Sequence, residues 1–143
     1  MLAVDTDVLV SWAMEGAVKH PAARRLLEEE LLRGSGRLAL APQVLHELIH
    51  VTTDARRFQH PLRMEDALEL ARSLWEAPEV VRVLPGPDVL TRTLDLLGAL
   101  RLGRKRILDT ALAATLESAG VRRLATFNAA DFEVFEFLEL VSV

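Results

Sequence analysis

The sequence has 143 residues, half of them hydrophobic, and a formal net charge of −4. This length fits one domain with its own core, so we predict a single domain over residues 1–143. The chain has no cysteine, which excludes disulfide frameworks and thiolate metal sites. It shows neither a signal-peptide pattern nor an apolar run near the ~18 residues that span a bilayer. We therefore expect a soluble, cytoplasmic protein without a membrane segment.

Short apolar stretches alternate with amphipathic ones along the chain, and each has the periodicity of a strand or a helix. In chain order they predict a strand at 2–5, a helix capped by Thr6 or Asp7 and running to about residue 15, a helix at 22–33, a strand at 37–41, a helix at 42–53, a helix at 64–77, a strand at 79–84, a helix at 88–100, a basic loop at 101–106, a helix at 107–119, and strands at 122–127 and 138–143.

Proline and glycine punctuate these elements. Pro21 and Pro42 suit the first turns of the second and third helices. Gly34 and Gly36 are expected to end the second helix, and Gly120 the last one. Strands that alternate with helices predict an α/β fold, here a three-layer α/β/α sandwich around a mostly parallel sheet of four or five strands. Ligands of such folds bind beyond the carboxyl ends of the strands.

Polar side chains follow two of the predicted strands directly. Asp5 ends the first strand, although its residue type also suits a helix cap or a turn. The segment 126–131 (TFNAAD) follows the strand at 122–127 and supplies Thr126, Asn128 and Asp131, all ordinary loop residues by type. Their shared position at strand ends makes them candidates for a functional site.

Two further acids lie on apolar helix faces. Glu47 shares a face with Val44 and Val51, where a carboxylate is costly unless it is paired or bound to a metal. Asp109 lies one turn before Leu112, Ala113 and Leu116 in the most apolar predicted helix, which should be largely buried. An arginine partner for Glu47, or the helix dipole for Asp109, would explain each acid without a function. Together, these oxygen ligands suit magnesium or manganese and metal-assisted phosphodiester hydrolysis.

The chain resembles the PIN domain family, and is most similar to the VapC-type toxin ribonucleases of toxin–antitoxin pairs. Four blocks carry the resemblance in matching order: residues 5–9 (DTDVL), Pro42 with residues 44–47, residues 107–114 (ILDTALAA) and residues 124–132 (LATFNAADF). The blocks cover almost the full chain. One departure is Asp7, which stands where the family usually has a small amide or hydroxyl residue.

The resemblance implies a magnesium- or manganese-dependent endoribonuclease. Its catalytic, metal-binding acids would be Asp5, Glu47 and Asp109, with Asn128 or Asp131 as the fourth ligand. Thr6, Thr126 and the unusual Asp7 would support them. It further implies a homodimer and a small antitoxin partner whose tail occupies the acidic groove.

Residues 46–50 read HELIH, a literal match to the zinc-peptidase pattern in which two histidines bind zinc and the glutamate acts as base. Arg56 stands where an extended pattern would place a third histidine, although Glu69 or Glu76 could supply another ligand. This alternative leaves Asp5 and Asp109 unexplained.

A third hypothesis is a non-catalytic module that binds RNA or a protein. Its contacts would come from basic residues that are otherwise ordinary solvated charges: Arg56 and Arg57, then Arg101, Arg104, Lys105 and Arg106. A net-acidic chain is not an obvious binder of nucleic acid, and its low aromatic content gives no sign of base-stacking surfaces.

Overall fold

A computed structural model of the chain describes residues 1–33 and 36–143. The strands are β1 (Leu2–Val4), β2 (Leu38–Leu40), β3 (Val80–Arg82), β4 (Arg123–Ala125) and β5 (Glu139–Val141). The helices are α1 (Thr6–Ala13), α2 (His20–Leu32), α3 (Pro42–Thr52), α4 (Met64–Glu76), α5 (Pro87–Ala99), α6 (Ile107–Ser118) and α7 (Ala129–Phe132), with a short 3-10 turn at Arg104–Arg106 before α6. In this part of the chain, no helix combines the length and apolar character needed to cross a membrane.

The strands form one parallel sheet in the order β3-β2-β1-β4-β5. β1 lies at the centre, where Leu2 is opposite Leu38 of β2 and Val4 is opposite Ala125 of β4. Helix α1 packs against α2 and α3, and α3 packs against α4; in a second group, α6 packs against α5 and α7. The predicted α/β sandwich with a parallel sheet is therefore confirmed, with five strands in the described residues.

The centre of the sheet is apolar on both faces. Every residue of β1 and β2 is buried, which explains why these strands read as continuous apolar runs rather than alternating ones. Leu9 of α1 and Leu48 of α3 are fully buried against this core. A rigid, dry sheet of this kind fixes the positions of the loops that follow each strand.

Most predicted helix ends lie within a residue or two of the observed ones, but one cap was wrong. The N-cap of α1 is Asp5, whose side chain accepts a hydrogen bond from the Thr6 backbone N–H at 2.7 Å, rather than Thr6 or Asp7. Gly120 ends α6 as predicted, with a φ of 69° that a side chain would disfavour. The prediction for Gly34 lies outside the described residues.

Two segments predicted as loops contain short helical turns. The basic loop includes the 3-10 turn, and the segment after β4 contains α7, which is too short to show helical periodicity in the sequence. Helix α6 is buried through its centre, as predicted, yet its first turn exposes Ile107 and Leu108 at 45% and 59%.

Candidate active site

Two threonine hydroxyls connect the segments that follow β1, β2 and β4. Asp5 is the residue directly after β1, and its backbone N–H donates to the Ala125 carbonyl at 2.9 Å. The Thr126 hydroxyl donates to Asp5 Oδ2 at 2.9 Å. From the other side, the Thr6 hydroxyl donates to Glu47 Oε2 at 3.2 Å. Residues that are far apart in sequence thus meet at the carboxyl edge of the sheet, where ligands of such folds bind.

Asp7 is held at the same edge by the backbone of the β4–α7 segment. Phe127 N–H donates to Asp7 Oδ2 at 3.0 Å, and Thr126 lies 3.5 Å from the same oxygen. The other oxygen, Asp7 Oδ1, is buried without a hydrogen-bond partner among the described residues. A buried carboxylate oxygen without a partner is costly, and a cation is one way to satisfy it.

Two further acids, Asp109 and Asp131, lie on either side of the Arg106 guanidinium group near the first turn of α6. Arg106 Nε is 3.9 Å from Asp109 Oδ2 and 4.0 Å from Asp131 Oδ1. These distances are too long for hydrogen bonds, and Arg106 Nε and Nη2 are buried without a partner in the described chain. Arg106 is therefore a counter-ion shared by two carboxylates, bound tightly to neither.

These side chains surround a cleft of about 590 Å³. Its acidic lining comes from three helices or their caps, and consists of Asp5, Asp7, Glu47 and Asp109. Asn128 also lines the cleft, and its side chain makes no capping hydrogen bond to α7. Asp131 is not among the lining residues, and its nearest cation is Arg106, whose Nε is 4.0 Å from Asp131 Oδ1. The structure thus brings Asp5, Glu47 and Asp109 together at the cleft, with Asn128 nearer to it than Asp131.

Burial and mutual repulsion raise the pKa values of three of these acids. Desolvation, followed by the charge of Asp7, raises the pKa of Asp5 to about 7, although hydrogen bonds from Thr126 and Thr6 oppose the shift. Desolvation also raises the pKa of Asp7. The pKa of Asp109 is raised by desolvation and then by the charge of Asp131, while Arg106 lowers it. The fold therefore disfavours the ionised forms of these three carboxyl groups.

The donor set of this cleft fits a hard divalent cation. Its side chains offer carboxylate and amide oxygens, and one buried oxygen lacks any other partner. No three Asp, Glu or His side chains in residues 1–33 and 36–143 are grouped closely enough to hold an ion directly. Magnesium usually keeps several waters and uses only one or two carboxylates, so a wider acidic cleft suits it.

The histidines of the HELIH segment do not share one cavity. His50 lines the acidic cleft, whereas His46 lines a separate groove with Leu68 and Trp75. Glu47, which a zinc peptidase would use as its base, instead accepts hydrogen bonds from Thr6 and Gln43. The structure gives the zinc-peptidase alternative no converging ligand pair.

The cleft also contains cations and aromatic rings that the sequence did not single out. Lys19, Phe58 and Phe127 line it, together with Arg57 from the basic pair noted in the sequence. Two of the five phenylalanines thus lie at the site, despite the low aromatic content of the chain. The predicted basic residues Arg101, Arg104 and Lys105 are exposed and do not line the cleft.

The PIN domain family matches residues 2–138 of the chain. The chain therefore belongs to the PIN domain family, and the resemblance in its four sequence blocks is confirmed. Ribonuclease VapC24 from two strains of Mycobacterium tuberculosis is 28% identical over 137 residues, which cover 96% of this chain and 92% of the relative.

Three solved structures share the fold of this chain. VapC20 of Mycobacterium tuberculosis, described as a sarcin–ricin loop cleaving toxin, superposes with a TM-score of 0.69 at 17% identity over 94% of this chain and 95% of its own. VapBC-1 from nontypeable Haemophilus influenzae superposes with a TM-score of 0.66 at 19% identity, over 99% of this chain and 96% of its own. VapBC2 from Rickettsia felis, solved with a DNA fragment from its promoter, superposes with a TM-score of 0.64 at 16% identity, over 99% of this chain and 98% of its own.

Proposed function

We propose that this protein is a divalent-metal-dependent endoribonuclease that hydrolyses RNA phosphodiester bonds. The observation that carries the proposal is the acidic cleft at the carboxyl edge of the sheet, in which Asp5, Asp7 and Asp109 all have raised pKa values. Acids crowded in this way destabilise the fold, so their presence favours a functional role for them. The likeness to Ribonuclease VapC24 points to RNA as the substrate.

Asp5, Glu47 and Asp109 would hold a magnesium or manganese ion, partly through bound waters, with Asn128 or Asp131 as the fourth ligand. When bound, such an ion lowers the pKa of a water and stabilises negative charge on phosphoryl oxygens. Thr6 orients Glu47, and Thr126 orients Asp5, through their hydroxyl hydrogen bonds.

Asp7 would contribute its unpartnered oxygen to the same charge cluster, either at the ion or at a water beside it. Arg106 would limit the repulsion between Asp109 and Asp131 while the ion is absent. These residues bind and orient; no side chain of the cleft needs to act as a covalent nucleophile.

We further propose that the protein is a cytoplasmic toxin that a cognate antitoxin inhibits. The support is its likeness in fold to the VapBC proteins of Haemophilus influenzae and Rickettsia felis. A homodimer is expected from the same resemblance. Arg101, Arg104, Lys105 and Arg106, in the segment between α5 and α6, would be further residues for RNA contact, and the first three are exposed.

An RNA cleavage assay tests the enzymatic proposal. Wild type should cleave RNA in Mg²⁺ or Mn²⁺ and lose activity in EDTA, and Asp5→Asn should reduce the rate by at least about a hundredfold. Asp66→Asn, an exposed acid on α4, serves as the matched control and should keep wild-type activity. RNA cleavage that survives EDTA and Asp5→Asn would contradict the proposal. Zinc-dependent peptide cleavage would instead support the peptidase.

A further inference from the structure

Two parts of the lining of the acidic cleft, called its first and second wall below, each combine a cation with a phenylalanine ring. One wall carries Lys19 and Phe127, and the other carries Arg57 and Phe58. The four residues come from the start of α2, the segment after β4 and the turn after α3. None of them is among the acids proposed to hold the metal.

The first wall is built by a cation–π contact. Lys19 Nζ lies 4.3 Å from the centroid of the Phe127 ring, and Lys19 forms no ion pair within the described residues. The Phe127 backbone is fixed by its hydrogen bond to Asp7. Lys19 is exposed, so its ammonium group can bind an anion from solvent, although its charge also lowers the pKa of Asp7.

The second wall is built by the turn after α3. Backbone N–H groups of Arg57 and Phe58 both donate to the Asp54 carbonyl, at 3.1 and 3.2 Å. The Asp54 carboxylate faces two guanidinium groups, with Arg56 Nε at 3.3 Å and Arg57 Nε at 3.7 Å. One carboxylate cannot neutralise two arginines, so the turn keeps a net positive charge. The Arg57 side chain is 61% exposed and borders the cleft.

This arrangement matches the chemistry of a single RNA strand. A cleft crowded with acids repels a phosphate backbone, and the exposed cations in its lining are the places where the flanking phosphates can be held. Proteins that bind single strands combine such cations with aromatic rings on which unpaired bases pack. The bases of a duplex are already stacked on each other and cannot reach side-chain rings in this way.

We propose that Lys19 and Arg57 bind the backbone phosphates of a single-stranded RNA on the two sides of the cleaved bond. Phe127 positions the Lys19 ammonium, and the half-buried ring of Phe58 offers apolar surface to an unpaired base. This proposal rests on the proposed ribonuclease function and adds the residues that hold the RNA.

Fluorescence anisotropy with a short labelled single-stranded RNA tests the binding directly, in EDTA so that cleavage does not intervene. Lys19→Gln and Arg57→Gln should each weaken binding about fivefold to tenfold. Each should also reduce the slope of log affinity against log salt by about 0.7, the loss expected for one phosphate contact. Arg25→Gln, an exposed arginine on α2 outside the cleft, removes the same charge and should bind RNA like wild type.

A double-mutant cycle tests the link between the ring and the ammonium group. Phe127→Leu should weaken RNA binding in wild type and have a much smaller effect in the Lys19→Gln background, because its contribution acts through Lys19. Single-turnover cleavage in Mg²⁺ gives a second readout. Lys19→Gln and Arg57→Gln should raise the protein concentration needed for half-maximal rate and change the maximal rate less than about twofold, since neither touches the metal ligands.

The outcomes separate the two proposals. Wild type that binds the single strand through these cations but never cleaves it would overturn the ribonuclease function and keep the binding site. Wild type that cleaves RNA while both glutamine variants bind as tightly as Arg25→Gln would overturn the binding site alone. Tighter binding of duplex RNA or of duplex DNA than of the single strand would also overturn it.

Discussion

Asp5→Asn should stabilise the metal-free protein, although it should abolish activity. Asp5 has an ordinary pKa of 3.8 and a folded-state pKa of about 7, so its ionised form is disfavoured by the fold. At about 1.4 kcal/mol per pKa unit, ionised Asp5 costs up to about 4 kcal/mol above pH 7. Asparagine keeps an oxygen that can cap Thr6 N–H, but it weakens the bond from Thr126. We expect a net gain of roughly 1–3 kcal/mol.

The sign of the pH dependence follows from the direction of this shift. Because the folded-state pKa of Asp5 is above its unfolded value, its ionisation penalty is absent below about pH 4 and grows as the pH rises to about 7. The stability difference between Asp5→Asn and wild type should therefore increase across this window and level off above it. Asp7 and Asp109, whose pKa values are also raised, should make the wild-type loss steeper.

Urea unfolding in EDTA at pH 5 and pH 8 measures the effect, with Asp66→Asn as the exposed control. Replacing EDTA with Mn²⁺ should stabilise wild type strongly and Asp5→Asn weakly, because an ion that binds only the folded state shifts the unfolding equilibrium. The reasoning is wrong if Asp5→Asn is less stable than wild type at pH 8 in EDTA, or if its advantage does not change between the two pH values.

Three further substitutions test other contacts. Arg106→Gln removes the cation shared by Asp109 and Asp131. Isothermal titration should then show several-fold tighter Mn²⁺ binding, and unfolding in EDTA should show a less stable fold. Unchanged metal affinity would contradict the counter-ion role. Thr6→Val keeps the shape of a buried side chain but removes its bond to Glu47, and should lower kcat/KM about tenfold at nearly constant stability. Arg123→Met should cost about 2 kcal/mol, because it leaves buried Glu30 without its two hydrogen bonds of 2.7 and 3.1 Å. Since Arg123 lowers the pKa of Glu30, this cost should shrink once the pH falls below the ordinary glutamate range, and a pH-independent cost would count against the ion pair.

Asp5 and Glu47 show why most of the site could be predicted from the sequence. A short apolar run followed directly by an acid locates the end of a buried strand, and parallel strands bring their carboxyl ends to one edge. Glu47 stood out because it interrupts an apolar helix face, and it lies half-buried beside the cleft. Both clues depend on local patterns that survive without knowledge of the folded chain.

The contact between Lys19 and Phe127 could not be predicted from such local patterns. Their contact joins residues more than a hundred positions apart, and neither interrupts a periodic pattern. The choice of Asp5 over Thr6 or Asp7 as the cap of α1 depends on where β1 stops pairing with β4, which no local pattern specifies. The order of Asn128 and Asp131 around the cleft depends on α7, a helix of one turn.

The central position of β1 also sets when the cleft can exist during synthesis. β1 is synthesised well before its neighbour β4, and Thr126 bonds to Asp5 across 121 residues of chain. A growing chain therefore carries Asp5 and Glu47 early but cannot assemble the acidic cleft until β4 and the segment after it have been translated. For an enzyme that would attack RNA, this strand order would delay activity until β4 pairs with β1.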